Sequence, residues 1–186
     1  MEMSELGERP LKLEIINAKE IRLSSDDIHM LAEIEVHPEV AKWDILAFEG
    51  DVEKAYLAFK EAIERLPQTE DELLVAKVQG KVVGFVGIRR LKGEAGELHH
   101  VGEVGIAVHP EFWRRGIGTK LLKACISLAK KQGFLRLEAD TLGSNIAMRR
   151  LLEKVGFRLE GIRAKRYRRD QEFHDEALYA LLLERP

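Results

Sequence analysis

The sequence predicts an α/β (α+β) chain: one mixed sheet with helices on both faces. Three observations predict it. Strand-like and helix-like runs alternate in the order β-α-α-β-β-β-α-β-α-β-β. The first half is rich in hairpin signals. The second half carries a strand-helix-strand run, whose helix must cover a sheet. No internal repeat, linker or low-complexity segment divides the 186 residues, so a single domain over 1–186 is expected, with residues 1–10 as a flexible tail.

Each element has a local reason. Leu11–Leu23 alternates enough for a first strand. Ser24 and Asp27 stand at capping-box spacing and start a helix, which Pro38 ends or kinks. Asp51 caps a second helix, with Val52, Tyr56, Phe59, Ile63 and Leu66 at helical spacing up to Pro67. ELLVAKV and KVVGFVGIRRL flank Gln79-Gly80 and form a hairpin. The strand HHVGEVGIAVH follows a Gly- and Glu-rich loop. Leu121, Leu122, Cys125, Leu128 and Ala129 then mark one face of a helix ending near Gly133. FLRLEADTL is a strand. SNIAMRRLLEKVGF is a short helix with Ala147, Met148, Leu151, Leu152 and Val155 apolar and Gly156 as its C-terminal stop. Phe157–Glu184 closes the chain as a long hairpin turning near Asp170-Gln171.

Composition narrows the function. Hydrophobic residues make up 45%, enough for a buried core. The net charge of -2 gives no global field to draw in nucleic acid or an anionic membrane, so neither is an expected partner. No apolar run approaches the ~20 residues that span a bilayer. The single cysteine, Cys125, excludes an intrachain disulfide framework and fits a reducing, cytoplasmic setting; on the apolar face of its helix it reads as core. His29, His37, His109 and His174 show no metal-ligand spacing among themselves or with Cys125, so no metal is expected.

One stretch points to a ligand: VHPEFWRRGIGTKLL, Val108–Leu122. A helix N-terminus leaves its first N–H groups unpaired and carries partial positive charge. Gly116 and Gly118 bare the backbone there, and Arg114 and Arg115 add full charge beside it, which suits a pyrophosphate. A tight strand-to-helix turn with two solvated arginines is the rival reading. Neither the Gly-x-x-x-x-Gly-Lys-Ser/Thr loop nor the dinucleotide fingerprint is present.

This stretch resembles the coenzyme A signature of the GNAT superfamily of N-acetyltransferases: Arg or Gln, two residues, Gly, one residue, then Gly or Ala. The glycines match Gly116 and Gly118; Trp113 stands at the Arg/Gln position, a departure also met in the Rim-type branch that acetylates protein N-termini. The family's later Asn…Gly-Phe motif resembles SNIAMRRLLEKVGF, with Asn145, Glu153, Lys154, Gly156 and Phe157 in register. The likeness spans nearly the whole chain. It implies a twisted, mostly antiparallel sheet of about seven strands, splayed between the fourth and fifth, flanked by about four helices. It implies acetyl-CoA as co-substrate in the splay. The backbone of Ile106, Ala107 and Val108 would pair with the pantetheine arm, and Arg114, Arg115, Gly116, Ile117, Gly118 and Thr119 would surround the pyrophosphate. Asn145 would reach the pantetheine arm across the gap.

Attack on a thioester needs a neutral amine, a polarised carbonyl and a proton for the leaving thiolate. A backbone N–H near Ile106 or Ala107 suits the carbonyl. Glu103, in GEVGIAV, resembles the acid that many family members use as base; a strand glutamate in a structural role is the rival reading. The family often carries Leu-Tyr in the second motif, with the Tyr as acid, where this chain has Leu151-Leu152. Tyr167 is a remote substitute that reads better as a packed hairpin residue. His99 and His100 could line the acceptor site or be solvated, and Trp43, in HPEVAKW, lies in the region that covers the acceptor groove in the family. The basic run Arg163–Arg169 reads as a solvated hairpin. Two readings stay open: an acetyltransferase acting on a primary amine, and a non-catalytic acyl-CoA-binding module. The terminal hairpin is the candidate surface for a homodimer.

Overall fold

The structure, a computed structural model, describes residues 12–43, 50–169 and 171–184. In chain order the elements are β1 (Leu13–Asn17), α1 (Ser25–Val36), α2 (Pro38–Ala41), α3 (Val52–Arg65), β2 (Glu72–Val78), β3 (Lys81–Arg90), β4 (Val101–Val108), α4 (Ile117–Lys131), β5 (Arg136–Leu142), α5 (Ile146–Lys154), β6 (Arg158–Arg169) and β7 (Glu172–Leu182). The strands form one seven-stranded sheet in the order β1-β2-β3-β4-β5-β7-β6. Every neighbouring pair is antiparallel except β4 and β5, which run parallel. The expected tail, residues 1–10, lies outside the described residues, as does Asp170 at the hairpin turn.

Two cores sandwich the sheet. On one face Leu121, Leu122, Cys125 and Ala129 of α4 and Leu152 of α5 pack against Val86, Ile88, Val104, Leu137 and Tyr179. On the other, Leu31 and Ile34 of α1 meet Val75, Val82, Phe85 and Ala107, with Tyr56, Phe59 and Ile63 of α3 against them. β2 is buried along nearly its whole length, as befits a strand covered on both sides. Cys125 is fully buried, and burial pushes its thiol up to about 12, which fits a core residue.

The local signals explain the boundaries. The capping box at Ser24 is present in both directions, and Asp51 accepts from the Lys54 N–H. Gln79 and Gly80 both take positive φ, 52° and 80°, the pair a two-residue type I′ hairpin demands. Three expectations change. β1 stops at Asn17, because the Asn17 side chain accepts from Lys19 N–H and its carbonyl from Glu20 and Ile21, closing a turn. Pro38 starts an extra one-turn helix α2, capped by His37, so the described residues form five α-helices. Ala147 is exposed, leaving Leu152 as the buried anchor of α5.

Candidate active site

β4 and β5 hold together only at their starts. Their ladder pairs Val101 with Arg136, Gly102 with Leu137 and Glu103 with Glu138, and ends there. β4 runs on to Val108 against β3, while β5 runs on to Leu142 against β7, so a gap opens between them. The ladder on the far side decides which backbone groups face this gap. Leu91 N–H donates to Val101 C=O at 3.0 Å and His109 N–H to Val83 C=O at 2.9 Å. Bonded pairs alternate along an antiparallel ladder, so the odd residues of β4 turn their backbone to β3. Val104, Ile106 and Val108 turn theirs to the gap. This corrects the expectation for Ala107: its N–H and C=O belong to the β3 ladder, and its side chain is in the α1-side core. Trp113, at the position usual for Arg or Gln, folds back and donates its indole Nε1–H to Val108 C=O at 2.6 Å. Ile106 is the central open residue of the strand.

β4 leads directly into the expected cradle. Pro110–Phe112 makes one 3₁₀ turn, and the chain then takes positive φ at Arg114 (60°) and at Gly116 (79°). Left-handed residues in such a turn fan successive N–H groups to one side, the geometry of an anion nest. Gly116 is the N-cap of α4 and gives it no side-chain cap. The N–H groups that open the 15-residue helix α4 therefore have no side-chain cap from their N-cap residue, and no acid lies in its first turn. A Cβ on Gly118 would lie 3.1 Å from Leu151 Cδ2 and 4.0 Å from Ile106 Cδ1, so this glycine lets α4 pack close to α5 and β4. Thr119 is half-buried, and Ile117 is buried and anchors the turn. Arg114 and Arg115 are exposed, and neither makes an ion pair among the described residues; Arg115 lies over the Phe112 ring. Across the gap Asn145 is buried and caps α5, its Oδ1 accepting from Met148 N–H at 3.2 Å. That leaves its NH₂ end to meet a ligand. The residues present thus fit a pyrophosphate and an extended amide arm: uncapped N–H groups, two cations and an open strand edge.

The opposite face of the gap carries charge. Paired residues share a face, so Arg89, Glu103 and Glu138 line up across β3, β4 and β5. Glu103 accepts from Arg89 Nε at 2.9 Å, with a second guanidinium nitrogen in contact, and is partly exposed. Asp140 follows two residues after Glu138 on the same face, level with Gly105 across the gap. Leu142 pairs with Glu176 of β7, which brings a buried carboxylate to the same side. Glu176 accepts from Tyr167 Oη and from Arg163 Nη1 (2.9 Å), with Arg166 Nε at 3.7 Å. A register shift between Arg163 and Tyr167 sets four residues of β6 against two of β7, so both side chains stay within reach of Glu176. Crowding by protein, then the charges of Glu176 and Glu103, raise the Asp140 carboxyl above its ordinary value, although one side of it stays open to water. Burial, then its bond to Glu176, push the Tyr167 phenol up to about 12.

The other expected residues fall as follows. Leu152, at the usual Tyr position, is 1% exposed and closed into the core, so no acid acts from there. His99 bonds Glu70 at 2.6 Å at the start of β4, away from the cradle. Arg169 donates to Lys42 C=O at 2.8 Å, tying the end of β6 to the segment before Trp43. Arg163 and Arg166 face Glu176, so part of the basic run is neutralised internally. Arg89, Asp140 and Glu176 were not singled out by the sequence. The signal for Asp140 and Glu176, acids within the strands LEADTL and HDEAL, and for Arg89, a cation late in KVVGFVGIRRL, has meaning only once the strand register is known. Among the described residues, no three His, Cys, Asp or Glu side chains group to hold a metal, and no helix is long and apolar enough to cross a membrane.

Comparison with known proteins agrees with this geometry. The profile described as the acetyltransferase (GNAT) family matches residues 30–157. The chain is 28% identical over 159 residues to the [ribosomal protein bS18]-alanine N-acetyltransferase of Salmonella typhimurium, covering 86% of this chain and 93% of that one. A GNAT-family acetyltransferase from Streptococcus pneumoniae has the same fold, with a TM-score of 0.75 at 23% identity over 93% of this chain and 100% of that chain. So does yncA, a putative acetyltransferase from Salmonella typhimurium solved with its cofactor acetyl-CoA, with a TM-score of 0.72 at 21% identity over 92% of this chain and 94% of that chain. With a matching profile over most of its length, the splayed sheet and the uncapped glycine turn, the chain belongs to the acetyltransferase (GNAT) family and is an acyltransferase that uses acetyl-CoA as co-substrate.

Proposed function

We propose that the chain N-acetylates a primary amine by direct attack within a ternary complex, with a protein N-terminus as the first acceptor to test. The observation that carries this reading is the meeting of two unlike walls at one gap. One offers backbone donors for the coenzyme, the other carboxylates for a cation. A primary amine arrives as an ammonium, and its face of the gap holds Asp140, which makes no ion pair among the described residues, beside Glu103 and Glu176, which arginines already engage. The name of the 28% identical relative, an alanine N-acetyltransferase, supports a protein N-terminus.

Acetyl-CoA supplies the activated acyl group. Gly116 to Thr119 offer N–H groups to its pyrophosphate, Arg114 and Arg115 add charge, and Asn145 and the even residues of β4 hold the extended arm. Ile106 N–H, open to the gap, is the donor available to polarise the thioester carbonyl. Glu103, the expected base, already accepts from Arg89, and this suits it to hold an ammonium in register. The test is thiol release from acetyl-CoA with an alanine-initiated peptide. Turnover that disappears when the same peptide carries a blocked N-terminus is expected. No thiol release above the acceptor-free rate with that peptide or with simple alkylamines rules the reading out.

A further inference from the structure

We infer that Asp140, on the β5 wall of the splay, is the proton acceptor for the incoming ammonium, and that Glu103 with Arg89 positions it. This rests on the amine reading above and assigns a role within the site already described. Three observations separate the two carboxylates. Glu103 is engaged by a guanidinium through two nitrogens, so taking a proton would disrupt that contact. Asp140 makes no ion pair with any cation among the described residues. It also stands two residues beyond the last β4–β5 pair, at the level where Gly105 bares the opposite wall and next to Ile106.

The charged groups around Asp140 come from every strand that packs near it. They are Glu103 on β4, Glu138 on β5 itself, Glu176 on β7, and Arg163 and Tyr167 on β6. Crowding by protein raises its affinity for a proton most, Glu176 and Glu103 add to that, and Arg163 opposes them. A base matched to an ammonium needs such a raised affinity, because proton transfer to an ordinary carboxylate is further uphill. The step balances without any further reagent. One proton passes from the ammonium to Asp140, directly or through one water, leaving a neutral amine. The N–C bond forms as the C–S bond breaks. The thiolate takes the second proton from the newly acylated nitrogen, and Asp140 returns its proton to solvent.

The test measures kcat and KM against pH for the wild type, D140N, D140E and E103Q, with acetyl-CoA and an alanine-initiated peptide. D140N is expected to lower kcat about 100-fold and to lose the acid limb of the profile, while the KM for acetyl-CoA and coenzyme A affinity stay unchanged. D140E is expected to recover part of the rate with a limb of its own. E103Q is expected to raise the peptide KM more than it lowers kcat and to keep the limb. A D140N chain that keeps the acid limb and a kcat within about threefold of wild type overturns the assignment, as does an E103Q chain that loses the limb instead. A D140N chain that no longer binds coenzyme A gives Asp140 a structural role and also overturns it. A wild type that turns over no primary amine overturns the amine reading, and the assignment falls with it.

Discussion

The two walls of the splay are made of different material. The β4–α4 wall presents backbone to the gap: alternate N–H and C=O groups of β4, then a turn with positive φ at Arg114 and Gly116, then a helix start with no side-chain cap at Gly116. The β5–β7–β6 wall presents side chains: Asp140, Glu176 and Tyr167 from three strands, on the same face as Glu103 from a fourth. A backbone site is set by a contiguous stretch and tolerates many side chains. A side-chain site is set by register between strands far apart in sequence, and one substitution changes its charge. The first wall suits a co-substrate that never varies, the second an acceptor that must be chosen.

The strongest way to break this contrast is to crowd the backbone wall. In Gly118→Leu the new Cβ lies 3.1 Å from Leu151 Cδ2, so the rest of the side chain must push aside α5 or enter the cradle. Coenzyme A affinity is expected to fall about 100-fold, the scale of a small misplacement in a built site. Calorimetric titration with coenzyme A checks it; binding within about tenfold of wild type means that this wall does not depend on bare backbone.

Charge on the same wall matters less. Arg114 and Arg115 are exposed and have no partner acid among the described residues, so they are expected to act as screened charges beside the turn. Replacing both with Gln is expected to weaken coenzyme A binding about tenfold in low salt, with the difference nearly gone near 1 M, where the Debye length is about 3 Å. A loss that ignores salt would show that these arginines shape the turn itself, Arg114 being the one with φ of 60°.

This division also explains how far the sequence could be read. The succession of elements along the chain, the hairpins and the caps follow from local rules, and Ser24, Asp51 and Gln79-Gly80 behave as their types require. The glycine turn was legible because Gly116, Gly118 and the preceding strand are neighbours in sequence. Ala107 was misassigned because which backbone edge faces the gap depends on the phase of the β3 ladder, visible only from partners such as His109 and Val83. Asp140 and Glu176 stayed hidden for the same reason: 36 positions separate them, and the Leu142–Glu176 pair brings them together. Tyr167 read as packing because the register shift that brings it within reach of Glu176 leaves no mark in the run RAKRYRR.

Tyr167 sharpens the side-chain wall. Its phenol is pushed up to about 12, so it stays protonated and donates to Glu176 throughout the working range. Tyr167→Phe removes that donor while Arg163 still holds the carboxylate. The expected cost is about fivefold in kcat, the worth of about 1 kcal/mol for one hydrogen bond, with no change in the shape of the pH profile. A profile that loses a limb would make Tyr167 a titrating participant.

The smallest effect is the most discriminating. Glu176 is one of two negative neighbours that raise the proton affinity of Asp140, and Arg163 lowers it. Glu176→Gln removes the negative charge and leaves the positive one uncompensated, so both changes lower that affinity. Protonation then sets in at lower pH, and the acid limb of kcat/KM must move to lower pH, by up to about one unit. Gln retains an oxygen for Tyr167, which limits the disturbance to packing. If Glu103 were the titrating base, its contact to Arg89 would be untouched and the limb would stay in place. The direction of a shift this small therefore tells which carboxylate takes the proton.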